Sequence, residues 1–223
     1  MMKVHKESDA IMSVTAPEKP ARRSQATRRE EMRQRLAAAT LDALADHGHA
    51  GASLSVILDR AGVSRGAWAH HFETKAEMLA LAAEGLLQDA VEAARTLSPP
   101  VPDPSLPVET RLAAMIEAAW ARFYTGRHRD LLFEVALAAR TDAELRARLA
   151  PIFSGFLAAT GGNWGLSLRP DSRGLAEMAD LMVLTIYMLR GMAMQELAAG
   201  PAPGHEGLRR LWARLLAGWL EKP

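Results

Sequence analysis

Apolar residues recur with a helical period along most of the chain, and this pattern predicts a helical protein. A first helix is predicted from about Ala26 to His47, where Gly48 supplies the stop. A second, short helix has Ser53 as its N-cap. Its apolar residues occupy the i, i+3, i+4 and i+7 positions of one face, namely Leu54, Ile57, Leu58 and Ala61.

Two further helices are predicted directly after the second. Ser64 caps the third helix, in which Trp68 and Phe72 form an i, i+4 pair that we expect to face the core. Thr74 caps a fourth helix, which is predicted to reach about Leu97. Two short helices with their own start signals therefore precede the long fourth helix.

The remainder of the chain is predicted to form a larger helical body. Prolines in the segment 98–107 exclude a helix there and mark a hinge or a surface loop. A fifth helix follows, and a sixth is predicted over residues 129–140. The fifth carries one continuous apolar stripe: Leu112, Met115, Ile116, Ala119, Trp120 and Phe123.

Three more helices complete the predicted body. Thr141 and Glu144 form a capping box for the seventh, which Pro151 should kink or break. A stretch rich in Gly and Asn is predicted as a loop from Gly161, and an eighth helix then reaches Leu197. The last helix has a broad apolar face formed by Leu208, Leu211, Trp212, Leu215, Leu216, Trp219 and Leu220.

Composition supports an all-α fold and excludes several classes of function. The chain is 49% hydrophobic but only 5% aromatic, and it is rich in residues that favour helices. Cysteine is absent, which excludes disulfides, thiolate metal sites and a cysteine nucleophile. The apolar run 181–189 is shorter than the roughly 20 residues of a membrane helix, and no secretory signal is recognisable. We expect a cytoplasmic protein without a membrane partner.

Positive charge is concentrated near the N-terminus, although the net charge of the chain is only +1. Between Lys19 and Arg35 there are seven basic and two acidic residues. Residues 1–25 mix Pro, Ser, Lys and Glu without periodicity and are predicted to be a disordered basic arm. This arm either contacts DNA or is simply a solvated tail.

The second and third helices, joined by residues 62–64, have the arrangement of a helix-turn-helix, in which the second helix enters the DNA major groove. Because Trp68 and Phe72 face inward, small and polar residues lie on the opposite face. Arg65 is placed to reach guanine or a phosphate, and the start of the fourth helix offers free backbone N–H groups to a phosphate. The predicted DNA-binding residues are Ser53, Ser64, Arg65, Gly66, Ala67, His70, His71, Thr74 and Lys75.

The sequence LDRAGVSRGAWAHHFETKAEML, residues 58–79, closely resembles the DNA-binding head of the TetR family of regulators. The resemblance implies DNA contacts at Arg65, Ala67, His71 and Lys75, with Gly62, Val63 and Phe72 as structural positions. The family often has Thr at the position of Ala67 and Tyr at that of Ala69. It also implies a homodimer, a palindromic double-stranded operator, and a body that binds a small molecule and thereby releases the DNA.

The body offers candidates for the effector site and the dimer interface. An effector site needs apolar walls with a few polar groups. The predicted ligand-binding residues are Trp120, Tyr124, Phe133, Met178 and Met182. The charged residues that could orient a ligand are Glu117, Glu134 and Arg190. The last two helices carry more apolar surface than a monomer would expose. The predicted dimer interface consists of Leu208, Trp212, Leu215, Leu216 and Trp219.

Several alternatives remain open at this level. The body aromatics are more often plain core than the walls of a ligand cavity, whereas packing within one protomer is the lesser alternative for the C-terminal tryptophans. Four histidines between residues 47 and 71 lack further ligands at metal spacing, so neither a metal nor another cofactor is expected. An enzyme is not expected, because no nucleophile elbow or phosphate-binding loop is present. The predicted organisation is an arm (1–25), a DNA-binding domain (26–74) and a ligand-binding and dimerisation body (75–223), with a regulator lacking any ligand as the alternative.

Overall fold

The computed structural model describes residues 24–96, 105–168 and 175–221. Over these residues the chain is helical and contains no strand, which confirms the predicted all-α fold. The basic arm before residue 24 and most of the proline-rich segment lie outside the described residues. The helices are α1 (Gln25–Gly51), α2 (Leu54–Ala61), α3 (Arg65–Ala69), α4 (Lys75–Thr96), α5 (Val108–Phe123), α6 (Gly126–Thr141), α7 (Ala143–Leu168), α8 (Leu175–Ala199) and α9 (Gly204–Leu220).

Side-chain caps define the helix starts in the first 75 residues, which we call the head. Ser24, Ser53 and Ser64 each accept a hydrogen bond from the backbone N–H three residues later, at 3.1, 3.3 and 3.2 Å. The Thr74 hydroxyl accepts one from the Glu77 N–H at 3.0 Å. Each cap satisfies a backbone N–H that the first helical turn leaves without a partner. The predicted caps at positions 53, 64 and 74 are therefore confirmed.

Two glycines in the head adopt backbone conformations that other residues rarely tolerate. Gly62 ends α2 with φ +62°, and its N–H bonds back to the last turn of that helix. Gly48 has φ +65° inside the span of α1, so the regular helix stops there, as predicted, and one further turn continues to Gly51.

Three predicted details of the seventh helix are corrected. Asp142, rather than Thr141, caps α7, because its Oδ1 accepts the Leu145 N–H at 2.9 Å while the Thr141 hydroxyl donates to a carbonyl of α6. Pro151 lies inside α7, so of the two predicted effects, a kink or a break, the break is wrong. The predicted loop from Gly161 is helical as far as Leu168, since extending an existing helix costs far less than starting one.

The long helix α4 connects the head to the body, which comprises α4–α9. It packs against α1 on one side and α7 on the other, while α7 also packs against α8, and α5 against α9. Residues of both parts form one continuous apolar core, in which Leu36, Ile57, Met78, Ile116 and Met182 are almost fully buried. Within the described ranges, no helix is long and apolar enough to cross a membrane.

Candidate DNA-binding surface and body cavity

One face of α3, together with the starts of α1 and α4, forms a polar surface that we call the recognition surface. Arg65, Gly66 and His70 are exposed, and Ala67 is half-buried. A Cβ added at Gly66 would meet no atom of the protein within 4 Å, so packing inside the protein does not require a glycine there. Of the other predicted DNA-binding residues, Ser53, Ser64 and Thr74 are exposed caps, and His71 and Lys75 are half-buried.

Two arginines of α1 extend the recognition surface. Arg28 and Arg29 line a surface groove with His70 and His71, although the two pairs are some forty residues apart in sequence. Burial, followed by the positive charges of Arg29 and Arg33, lowers the pKa of His71 below its ordinary value. Partial burial likewise lowers the pKa of the Lys75 ammonium. The charge pattern of the sequence pointed to Arg28 and Arg29, but not to their position beside α3.

Arg33 has a different position, because it fastens α1 to the segment between α3 and α4. Its guanidinium lies 4.3 Å from the centroid of the Phe72 ring and donates a 2.6 Å hydrogen bond to the His71 carbonyl. It also lies 3.4 Å from Glu77, whose other carboxylate oxygen accepts the Glu73 N–H. Phe72 is almost fully buried, and Trp68 is half-buried against the core. Arg33 is thus a partnered residue that supports the recognition surface from behind.

The body contains a small, partly open cavity between α4, α5, α6, α7 and α8. Its volume is about 10 Å³, close to that of a single water molecule. Phe123 and Phe156 meet edge to face at 5.3 Å in its wall, and the ring of Phe123 lies 6.0 Å from that of His128. The lining residues are Leu87, Ala90, Phe123, Tyr124, His128, Leu132, Phe153, Phe156 and Arg190.

The predicted ligand-binding residues divide between this cavity and the surrounding core. Tyr124 lines the cavity, whereas Trp120, Phe133, Met178 and Met182 are buried but are not among its lining residues. Trp120 instead lies beneath Arg209, whose guanidinium is 4.4 Å from the indole. Periodicity in the sequence identified these residues as buried, but it carried no information on whether each faced a helix or a cavity.

The three charged candidates of the body also occupy different places. Glu117 forms a two-pronged ion pair with Arg209, at 2.8 and 2.9 Å. Glu134 accepts the backbone N–H of His49 at 2.7 Å and so joins α6 to the end of α1. Arg190 alone of the three lines the cavity.

Helices α8 and α9 expose a row of large apolar side chains. On α8, Leu184, Tyr187 and Met194 are 41–52% exposed, with Gly191 between them. On α9, Leu208, Leu211 and Leu215 are 46–56% exposed. The α8 row has 3–4–3 spacing and the α9 row 3–4 spacing, the pattern with which helices pack in bundles.

The predicted interface residues lie partly on this face and partly beneath it. Leu208 and Leu215 are on it. Leu216 is buried within the protomer, and the Trp212 indole N–H donates to the Thr185 hydroxyl at 2.9 Å. Trp219 is half-buried against the core.

Comparison with known proteins agrees with this geometry. Residues 36–82 match the family model described as bacterial regulatory proteins, tetR family. The chain is 30% identical over 181 residues to the HTH-type transcriptional regulator CymR of Pseudomonas putida, covering 80% of this chain and 85% of that protein.

Solved structures show the same fold at lower identity. A TetR-family regulator structure from Mesorhizobium loti superposes with a TM-score of 0.67 at 15% identity, covering 87% of this chain and 96% of that one. The transcriptional regulator FadR of Bacillus subtilis, solved in complex with stearoyl-CoA, has a TM-score of 0.60 at 17% identity, covering 82% and 97%. The matched relatives are transcriptional regulators, not enzymes.

Proposed function

The chain belongs to the tetR family of bacterial regulatory proteins, and we propose that it binds a palindromic operator as a homodimer and is released by a small, largely apolar effector. The observation that carries this proposal is the recognition surface. Arg65, Gly66 and His70 project from a capped helix with no protein group in front of Gly66. That arrangement suits close approach to base edges, with Lys75 and Thr74 at the phosphates.

The DNA contacts are tested by selecting bound fragments from random double-stranded DNA. We expect enrichment of a palindrome whose half-sites are separated by about one helical turn or a multiple of it. Arg65→Ala should relax the preference at one position of each half-site, because it removes a base contact. A selection that returns no preferred sequence would contradict the proposal.

Dimerisation is proposed through the exposed apolar face of α8 and α9. The interface that we propose consists of Leu208, Leu211, Leu215, Leu184 and Tyr187. Leu211 is included in place of Leu216, which is buried within the protomer. Scattering should give the mass of a dimer for the wild type, and Leu211→Glu with Leu215→Glu should give a monomer, because the substitutions bury unpaired charges. Leu137→Glu is the matched control, since Leu137 is 49% exposed and belongs to α6, which contributes no residue to the proposed interface. A monomeric wild type at micromolar concentration would refute the interface.

Effector binding is proposed to act on the head through two connections. Leu87 and Ala90 of α4 line the cavity, and the same helix begins at Lys75 on the recognition surface. His128 and Leu132 of α6 also line it, and Glu134 of that helix holds the end of α1. A movement of either helix on ligand entry therefore reaches the head. Equal operator affinity of free and ligand-bound protein would rule this coupling out.

The direction of regulation is proposed to be repression. A reporter gene placed behind the selected palindrome should be silent in the presence of the protein and expressed when the effector is added. A reporter that instead depends on the protein for expression would assign it as an activator.

A regulator without a small-molecule ligand is the alternative, and the size of the cavity favours it. Drug-sized ligands occupy roughly 300–1,000 Å³, far more than the 10 Å³ here, so binding requires side chains to move apart. FadR, which has the same fold, was solved in complex with stearoyl-CoA. This supports the idea that the side chains around the cavity can move apart to admit a ligand. A screen in which no compound changes either melting or operator affinity would favour the alternative.

A further inference from the structure

We propose that the effector is a small carboxylate with an apolar body, and that Arg190 binds its carboxylate. This inference rests on the proposed effector-responsive function and names the chemical class of the ligand. It is carried by one contrast inside the body, between an arginine that has a carboxylate partner and one that does not.

Among the described residues, no carboxylate pairs with Arg190. Its guanidinium carbon lies near two phenyl rings, 5.9 Å from the centroid of Phe153 and 5.7 Å from that of Phe156. Its Nε is buried and has no hydrogen-bond partner. Arg209, by comparison, is fully engaged by the carboxylate of Glu117. Arg190 as a whole is half-buried, but buried polar groups are normally paired, so its buried Nε–H is a site for an anion.

The wall of the cavity provides further donors beside Arg190, and an acid that acts on this wall by charge, Asp89, affects His128 but does not line the cavity. None of the cavity-lining residues is acidic, and the others are apolar apart from Tyr124 and His128. Burial raises the pKa of the Tyr124 phenol, although the charge of Arg190 and a hydrogen bond with its side chain act in the opposite direction, so the phenol keeps its proton at neutral pH and is a hydrogen-bond donor. Burial, together with the charge of Arg122, lowers the pKa of His128. A carboxylate can therefore accept hydrogen bonds from Arg190 and Tyr124 without meeting a negative group in the cavity wall.

The shape of the cavity limits the rest of the ligand. Phe123, Phe153 and Phe156 form most of its aromatic wall, and Leu87 and Leu132 complete the apolar part. Phe153 is only half-buried, so its movement opens the cavity at the least cost in packing. A guanidinium edge presents two parallel N–H groups, which match the two oxygens of a carboxylate. Once Phe153 has moved, these walls match a single ring or a short chain bearing one carboxylate.

The test compares carboxylates with their neutral amides. Benzoate, phenylacetate, hydrocinnamate and octanoate, and the corresponding primary amides, are titrated into the full-length protein by calorimetry up to about 1 mM. At least one carboxylate should bind, and at least tenfold more tightly than its amide. Arg190→Gln should weaken that binding about 10- to 100-fold, because it removes a charge-assisted hydrogen bond, and should leave the amide nearly unaffected.

Controls separate the role of Arg190 from a loss of fold or of DNA binding. Arg122→Gln removes a neighbouring arginine that lies 5.5 Å from the Phe123 ring but does not line the cavity, and it should leave carboxylate binding unchanged. Arg190→Lys should retain part of the affinity. Melting temperature and affinity for the selected palindrome, measured without any probe, report on the fold and on the proposed DNA function independently of the ligand.

Three results of these titrations would overturn the inference. It is wrong if no carboxylate of the series binds, if an amide binds as tightly as its acid, or if a folded Arg190→Gln variant binds the acids like the wild type. In all three cases an intact affinity for the palindrome would leave the proposed regulatory function standing.

Discussion

The head and the body each place an arginine against phenylalanine, with opposite results. In the head, Arg33 covers Phe72 and also bonds the His71 carbonyl and pairs with Glu77. In the body, Arg190 lies near two rings and has a free Nε. In the head, the contacts of Arg33 hold three segments in one geometry. In the body, the Nε–H of Arg190 remains available to a ligand. A fixed reading surface and an adaptable cavity are what a ligand-controlled DNA-binding protein requires.

Removing the phenyl ring that contacts the arginine, Phe72 in the head or Phe153 in the body, is the strongest test of the difference between the two regions. Phe72→Ala should lower the free energy of unfolding by about 3–5 kcal/mol, because Phe72 is 2% exposed and supports Arg33. Phe153→Ala should cost less, since that ring is half-buried beside a cavity. Chemical denaturation measures both. Equal losses for the two variants would remove the distinction between a rigid head and an adaptable body.

Removing the arginine of the head should have a smaller but still clear effect. Arg33→Gln should destabilise the protein by about 2 kcal/mol, because a charge-assisted hydrogen bond and a cation–π contact are lost. It should also weaken operator binding, since the segment between α3 and α4 loses its support. Arg35→Gln is the matched control: Arg35 is exposed and donates to the Gly62 carbonyl at 3.4 Å. A stable Arg33→Gln variant with normal operator affinity would show that Arg33 is not needed as a support.

The head was predictable because its determinants are local. Each cap needs a hydroxyl and a backbone N–H three residues later, and Gly62 needs only its own positive φ. The resemblance to the TetR family rests on the same segment. The contacts of Arg33 were not predictable in this way, because they join residues 38 and 44 positions apart.

The body was predictable only as a set of helices. Periodicity shows that Met178 and Met182 are buried, but which helix each one meets depends on how α4, α7 and α8 pack together. Arg190 and Phe153 are brought together by that packing and by no local signal. The wrong cap at Thr141 has a different cause, because Asp142 beside it is also a good N-cap and geometry decides between them.

Lys75 tests whether charge at the recognition surface contributes affinity rather than stability. Lys75→Ala should weaken operator binding by roughly 1 kcal/mol whatever the sequence, and should reduce the salt dependence by about one phosphate contact. Arg140→Ala, which removes an exposed charge of α6 in the body, is the control and should change neither. Titrations at several salt concentrations measure both quantities. An unchanged salt dependence for Lys75→Ala would place this ammonium away from the phosphates.

The smallest effect concerns one histidine in each region. Burial is the first cause that lowers the pKa of His71 in the head and of His128 in the body, and nearby arginines add to it. Because the unfolded chain then binds more protons than the folded one, stability falls as the pH drops through about 6.5. His71→Gln and His128→Gln should each make the free energy of unfolding less dependent on pH between about 7.5 and 5.5 than in the wild type. Salt should weaken the contribution of His71, since Arg29, Arg33 and His70 all act on it by charge. Salt should change the contribution of His128 less, because Asp89 there partly offsets the charge of Arg122. Slopes identical to that of the wild type would mean that neither histidine loses affinity for its proton on folding.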